Sequence, residues 1–206
     1  RVIARQQGGT LADTAVVTVS EPFPPGINPN EPTGYTRITD QPFTSVTADG
    51  WRIESDSPTL ATDGTAPVSP SGVLRATYPA GFQAGGPPWA VDRNLPAPTS
   101  LYYRIAFKLS SNFQGHTSGT NKLGFVWLHE APVVFLSAEG SGTTGSLVAE
   151  VRLQGPDSRD HLTPNQGRSG VIARGVWHSW EVQLVSNSGG GSNGTVRWWL
   201  DGVLLG

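Results

Sequence analysis

The 206-residue chain contains no cysteine and no methionine. The first absence removes disulfides, thiolate zinc sites and cysteine nucleophiles together, while leaving the redox compartment open. Methionine is missing even at position 1, so the sequence is expected to be a piece of a longer chain, with any export signal upstream of it. Charge is sparse as well. Asp, Glu, Lys and Arg make up 15% of the residues, against about 25% in an average soluble domain. The 14 Lys+Arg and 16 Asp+Glu give a net charge of -2 and form no basic cluster, which excludes the electrostatic footprint of sequence-independent nucleic-acid binding. No apolar run approaches the roughly 20 residues that a membrane helix needs. No stretch holds an amphipathic helical period for three turns, which excludes a coiled coil or a helical bundle.

Glycine and proline are abundant instead. With 26 Gly and 17 Pro they form about a fifth of the chain, a composition typical of turn-rich β-proteins. Apolar residues at 36%, including 7 Trp, 4 Tyr and 7 Phe, are enough for a core. The expected fold class is all-β, an antiparallel β-sandwich of the jelly-roll kind.

Three regions are expected. Residues 1–20 read as a hairpin, Val2 to Arg5 and Ala15 to Val19 alternating on either side of Gly8-Gly9, and an isolated hairpin is marginal in water. Residues 21–34 hold five prolines, at 22, 24, 25, 29 and 32, which forbid ladder hydrogen bonds and favour a semi-rigid spacer. From residue 35 to 206 strands recur between Gly, Ser, Asn and Pro clusters. They are Thr36 to Ile38, Trp51 to Glu54, Gly72 to Tyr78, Ser100 to Leu109, Lys122 to Leu128, Val133 to Ala138, Ser146 to Leu153, Val176 to Val185 and Thr195 to Leu204. Asn193-Gly194 is a cue for a tight hairpin turn, and Asp201-Gly202 is a second turn. A sandwich of this kind is expected to finish with one or two more strands after that turn.

These residues carry three resemblances. The pattern from Ile3-Ala4-Arg5 through Gly8-Gly9 to Val19-Ser20 resembles the last two strands of bacterial Ig-like domains of the group 2 type, spacers of secreted and surface proteins. Trp177-His178, followed by Trp199-Leu200-Asp201-Gly202, resembles neighbouring strands of concanavalin A-like lectin/glucanase (LamG-like jelly-roll) domains, with the likeness spanning about residues 50 to 206. Leu101 to Leu109, then Asn112-Phe113, then Asn121-Lys122-Leu123-Gly124-Phe125 resembles jelly-roll polysaccharide lyases acting on alginate or glucuronan. Thr120-Asn121 stands where those lyases carry a glycine pair, and the proline after Leu123 is missing. The resemblances imply a secreted or cell-surface location and a polysaccharide or cell-surface glycan as partner.

Alternation selects the residues that can line a sugar groove. In Ser146 to Gln154, Leu147, Ala149, Val151 and Leu153 point one way, so Glu150, Arg152 and Gln154 share the opposite face. A solvated cross-strand charge pattern is the competing reading of that ladder. A uronate lyase needs a cation or amide on the carboxylate and a base for the α-proton; Lys122, His129, Arg152 and Gln154 are the candidates. Aromatic faces stack on the CH faces of pyranoses. Trp127, Trp177, Trp180, Trp198 and Trp199 are available, and alternation buries Trp180 and Trp198 while leaving Trp177 and Trp199 for the surface.

The histidines at 116, 129, 161 and 178 show no metal-ligand spacing, so no metal site is expected, and His178 is expected to pack in the sheet. Asp157, Asp160 and Asn165 offer oxygen ligands for calcium within one loop; no other cofactor is implied. The alternating carboxylates of a retaining glucanase are absent from any one strand, which disfavours a glycoside hydrolase. A carbohydrate-binding or adhesion module, with Lys122, Glu150, Arg152, Gln154, Trp177 and Trp199 as contacts, is therefore the expected function. A lyase cleaving a uronate-containing glycan is the alternative, and fold analogy alone does not choose between them.

Overall fold

The computed structural model describes residues 28–41, 43–55, 58–68, 71–78, 90–127, 133–154, 161–162 and 170–206. Residues 1–20, expected to be an Ig-like hairpin, most of the proline-rich stretch, His129 and the loop residues Asp157, Asp160 and Asn165 lie outside them. After a short 3-10 turn at Ala48–Gly50 come β1 (Arg52–Ser55), β2 (Thr59–Asp63), β3 (Ser71–Arg75), β4 (Ala90–Asp92) and the long β5 (Ser100–Lys108). The chain continues through β6 (Thr120–Trp127), β7 (Val133–Glu139), β8 (Leu147–Gln154), β9 (His161–Leu162) and β10 (Val171–Ile172). It ends with β11 (Trp177–Val185), β12 (Thr195–Leu200) and β13 (Val203–Leu204). No α-helix occurs among the described residues, and no helix there is long and apolar enough to cross a membrane.

The protein is an all-β antiparallel sandwich. One sheet runs β10-β8-β7-β6, with β9 also paired to β8, and the other runs β13-β12-β11-β5. Two small ladders, β1–β4 and β2–β3, complete the described strands. The pleat of β8 shows why the sheets pack: Leu147, Ala149 and Val151 are wholly buried, while Val148, Glu150 and Arg152 between them are not. They meet Leu123, Val126, Val134, Leu136 and Ala138 on their own sheet and Leu101, Tyr103, Trp180, Val182, Leu184, Trp198 and Leu200 on the other, in one cluster. Trp180 and Trp198 are 0% exposed with ring centroids 6.3 Å apart. Burying apolar surface at about 25 cal/mol per Å² makes these inner faces the chief cohesive element. A smaller cluster of Trp51, Tyr78 and Val91 lies to the side.

The two turn cues resolve differently. Asp201 (φ 51) and Gly202 (φ 79) join β12 to β13 in a two-residue hairpin, the positive-φ geometry that a right-twisted ribbon prefers. The Asp201 carboxylate also accepts the Ser179 amide at 2.8 Å and faces His178 Nδ1 at 2.8 Å. His178 is buried, as expected, and its Nε2 accepts the Ala173 amide at 3.0 Å. Asn193-Gly194, by contrast, makes no tight turn. Residues 186–194 form a longer loop in which positive φ falls on Gly189 and Gly190, Asn193 Oδ1 accepts the Ser188 amide and the Gly194 amide donates to Asn187 Oδ1. Gly194 is required for space: a Cβ there would lie 2.8 Å from the Val185 carbonyl. Thr36 to Ile38 is likewise no strand but unpaired chain crossing the edge of the sandwich.

The β2–β3 hairpin is fixed to the second sheet by charge. Lys108 on β5 pairs with the Asp63 carboxylate and lies 5.1 Å over the Trp177 ring, whose Nε1 donates to Thr65 Oγ1 at 3.1 Å. Thr65 in turn gives its amide and hydroxyl to Asp63 Oδ1. Burial works against the charged carboxylate of Asp63, but the bonds from Lys108 and Thr65 outweigh it and hold its pKa down from 3.8 to about 2. A folded-state pKa below the unfolded one contributes stability that is complete above the unfolded value and lost as pH falls through the folded one. Urea denaturation between pH 5 and pH 2 (roughly the span over which an Asp depressed in this way titrates) is expected to show a steeper loss of stability in the natural chain than in Asp63→Asn.

Candidate functional site

The outer face of the β6–β7–β8 sheet is built in rows across the strands. Lys122, Ser137 and Glu150 stand in one row, Phe125, Phe135 and Arg152 in the next, and Trp127, Val133 and Gln154 in a third. His161 is the register neighbour of Arg152 on β9. Simple alternation along β6 would send Lys122 and Phe125 to opposite faces, because they are an odd number of residues apart. A register shift between Lys122 and Gly124 puts both outward, with Leu123 and Val126 still in the core. Such a bulge inserts one residue and re-aims the side chains beyond it. Buried Asn121 anchors the start of this strand through bonds to the carbonyls of Ala138 and Gly140 at 2.7 and 2.8 Å, and it accepts the His116 amide at 2.7 Å.

An aromatic strip follows from that bulge. Phe125 stacks on Phe135 at 5.5 Å and on Trp127 at 6.0 Å, the latter pair only 12° from parallel. Trp127 is 52% exposed, the most exposed of the large apolar side chains on this face. The Lys122 ammonium lies 4.9 Å over the Phe135 ring and 5.6 Å over Phe125, within cation–π range.

Charge on this face is concentrated on one arginine. Arg152 bonds Glu139 Oε2 at 2.6 Å through Nη2 and Glu150 Oε2 at 3.2 Å through Nε. Glu139 also accepts from Thr120 Oγ1 at 3.1 Å and from the Ser137 hydroxyl. Lys122 pairs with no carboxylate among the described residues. Its burial, and then the neighbouring Arg152 charge, push its pKa below the ordinary lysine value.

Lys122, Glu150, Arg152 and Gln154 therefore share one surface. Trp177 and Trp199 do not join them, since both belong to the other sheet. Trp177 is half-buried beneath the Lys108–Asp63 contact. Trp199 is 9% exposed rather than a surface ring. Its face is closed: it stands in register between Leu204 and Glu181, and Glu181 is 0% exposed, accepting from Tyr102 Oη at 2.6 Å and Asn30 Nδ2 at 3.1 Å. Arg104, also buried, donates to Ser179 Oγ at 2.6 Å and to Asn28 Oδ1 at 3.4 Å. The chain from residue 28 to 35 thus lies against this second face, which alternation alone assigns to solvent.

Phe125, Phe135 and Glu139 are site residues that strand-by-strand reading did not select. Glu139 gives Glu150 the neighbouring carboxylate that its own strand lacks, and the signal for it is the alternation Val133, Phe135, Ser137, Glu139 along β7. No protein-family model, curated protein or solved structure matches this chain.

Removing Arg152 leaves two carboxylates in a half-buried face without their cation. Arg152→Ala is expected to lower unfolding free energy by about 1–3 kcal/mol, less than for a fully buried pair because the groups keep some solvent. Urea denaturation is expected to show part of the loss regained in Arg152→Ala/Glu139→Gln/Glu150→Gln.

Proposed function

We propose that the outer face of the β6–β7–β8 sheet is the carbohydrate-binding surface of a recognition or adhesion module on a secreted or surface-displayed multi-domain protein. One observation carries the reading: exposed Trp127 and half-buried Phe125, the latter stacked on the buried Phe135, stand with Lys122, Glu150 and Arg152 on a single face. A pyranose is amphipathic in the same way, with CH faces that stack on rings and a rim of hydroxyls that bond to charged and amide groups. Most of the side chains are held before any ligand arrives, Arg152 by two carboxylates and Phe125 by two rings, so little ordering entropy is spent on binding. The antiparallel sandwich is compatible with a concanavalin A-like jelly roll following an Ig-like spacer, which is the domain arrangement we adopt for this reading.

A β-eliminating polysaccharide lyase is the second reading, and Lys122 favours it. Depression of its pKa raises the fraction of the amine that is unprotonated and free to take a proton, and a cation beside it is what a uronate carboxylate needs while the α-proton leaves and the glycosidic oxygen on the β-carbon departs. Arg152 is less suited to that neutralising role, because Glu139 and Glu150 already occupy two of its nitrogens.

Calorimetric titration with alginate, glucuronan and a neutral β-glucan, with ultraviolet absorbance followed in parallel, tests both readings. Saturable binding is expected, weakened about 10–100-fold by Trp127→Ala and unchanged by Trp177→Phe. Absence of binding to every polymer, or equal binding by Trp127→Ala, would contradict the proposal. Growth of unsaturated uronate absorbance that Lys122→Met abolishes would establish the lyase.

A further inference from the structure

Along the edge where β5 and β6 face each other the sandwich is not packed shut. A cavity of about 500 Å³ opens there, walled by the chain from residue 34 to 39, by Trp51 and Arg93, and by Tyr102, Tyr103 and Phe125. Its size falls within the roughly 300–1,000 Å³ of small-molecule sites. Phe125 belongs both to this wall and to the aromatic strip, so the cavity adjoins the row Phe125, Phe135, Arg152 at its β6 end.

We infer that this cavity is the end of the glycan groove, a subsite that receives a terminal sugar, so that the protein recognises chain ends rather than the middle of a polymer. The inference rests on the carbohydrate reading of the adjoining face. Two properties of the walls carry it. They pair ring faces, Trp51, Tyr102 and Phe125, with the donors of Arg37 and Arg93, the mixture a pyranose presents in reverse. They are rigid: Trp51 Nε1 bonds Thr39 Oγ1 at 3.2 Å, Arg93 bonds the Ile38 carbonyl at 3.3 Å and the Asp49 carboxylate at 2.8 Å, and Gln183 bonds the Tyr35 hydroxyl at 3.2 Å. The chain from residue 34 to 39 walls the cavity on this side, and in this proposal that wall stops a polymer from running on.

An end-binder and a mid-chain binder differ in stoichiometry. The full chain is titrated with whichever of alginate, glucuronan and neutral β-glucan it binds most tightly, before and after partial depolymerisation of the same mass of polymer. Sites per gram are expected to rise in proportion to the number of chain ends. Thr36→Trp places an indole in the cavity from an exposed position on the crossing chain and is expected to weaken binding about tenfold or more, with its thermal midpoint as the check on folding. Unchanged sites per gram with natural affinity in Thr36→Trp would overturn the inference and leave the groove reading standing. No binding by the natural chain would overturn both. Should Thr36→Trp fail to fold, the stoichiometry of the natural chain decides alone.

Discussion

The contact between the inner faces of the two sheets governs everything else in this molecule. Once Leu147, Ala149 and Val151 are committed to the cluster around Trp180 and Trp198, the pleat leaves Glu150, Arg152 and Gln154 no choice but to stand together on the other side. A slip of one residue in β8 would bury Arg152 and expose Val151. The core therefore specifies the site's register.

The two outer faces present different groups. On the second sheet, Glu181, Arg104 and Trp199 are buried, and Asn28 and Asn30 contribute hydrogen bonds to that layer. Trp177 is held in the bonds that fix the β2–β3 hairpin. On the first sheet the polar groups bond chiefly to one another, Trp127 is exposed, and Lys122 bears a charge that its surroundings disfavour.

Much of this was legible in the sequence because it depends on local period. The long strands Ser100–Lys108, Leu147–Gln154 and Trp177–Val185 lie where their apolar runs place them, the Asp201-Gly202 turn follows from its two residue types, and the shared face of Glu150, Arg152 and Gln154 follows from spacing. What escaped depends on distant parts of the chain. The bulge after Lys122 reverses the faces of Phe125 and Trp127, and no residue type in β6 announces it. Glu139 reaches Arg152 from a neighbouring strand, so a search for carboxylates along one strand passes it by. Trp199 has polar same-face neighbours along the chain, Arg197 and Asp201, yet it stands in register between Glu181 and Leu204 across the sheet and is buried. Asn193-Gly194 has the composition of a tight turn but sits at the end of a loop whose reversal is made by Gly189 and Gly190.

On the proposed function, ligand meets the first outer face and not the second. With seven tryptophans in the chain, indole N–H resonances report on both faces at once. Titration of a short uronate or β-glucan oligosaccharide into isotopically labelled protein, with each indole assigned by substitution, is the direct measurement. The account predicts that the Trp127 resonance moves with saturable dependence while those of Trp177 and Trp199 stay in place. Movement of Trp177 or Trp199 with Trp127 unmoved would contradict it.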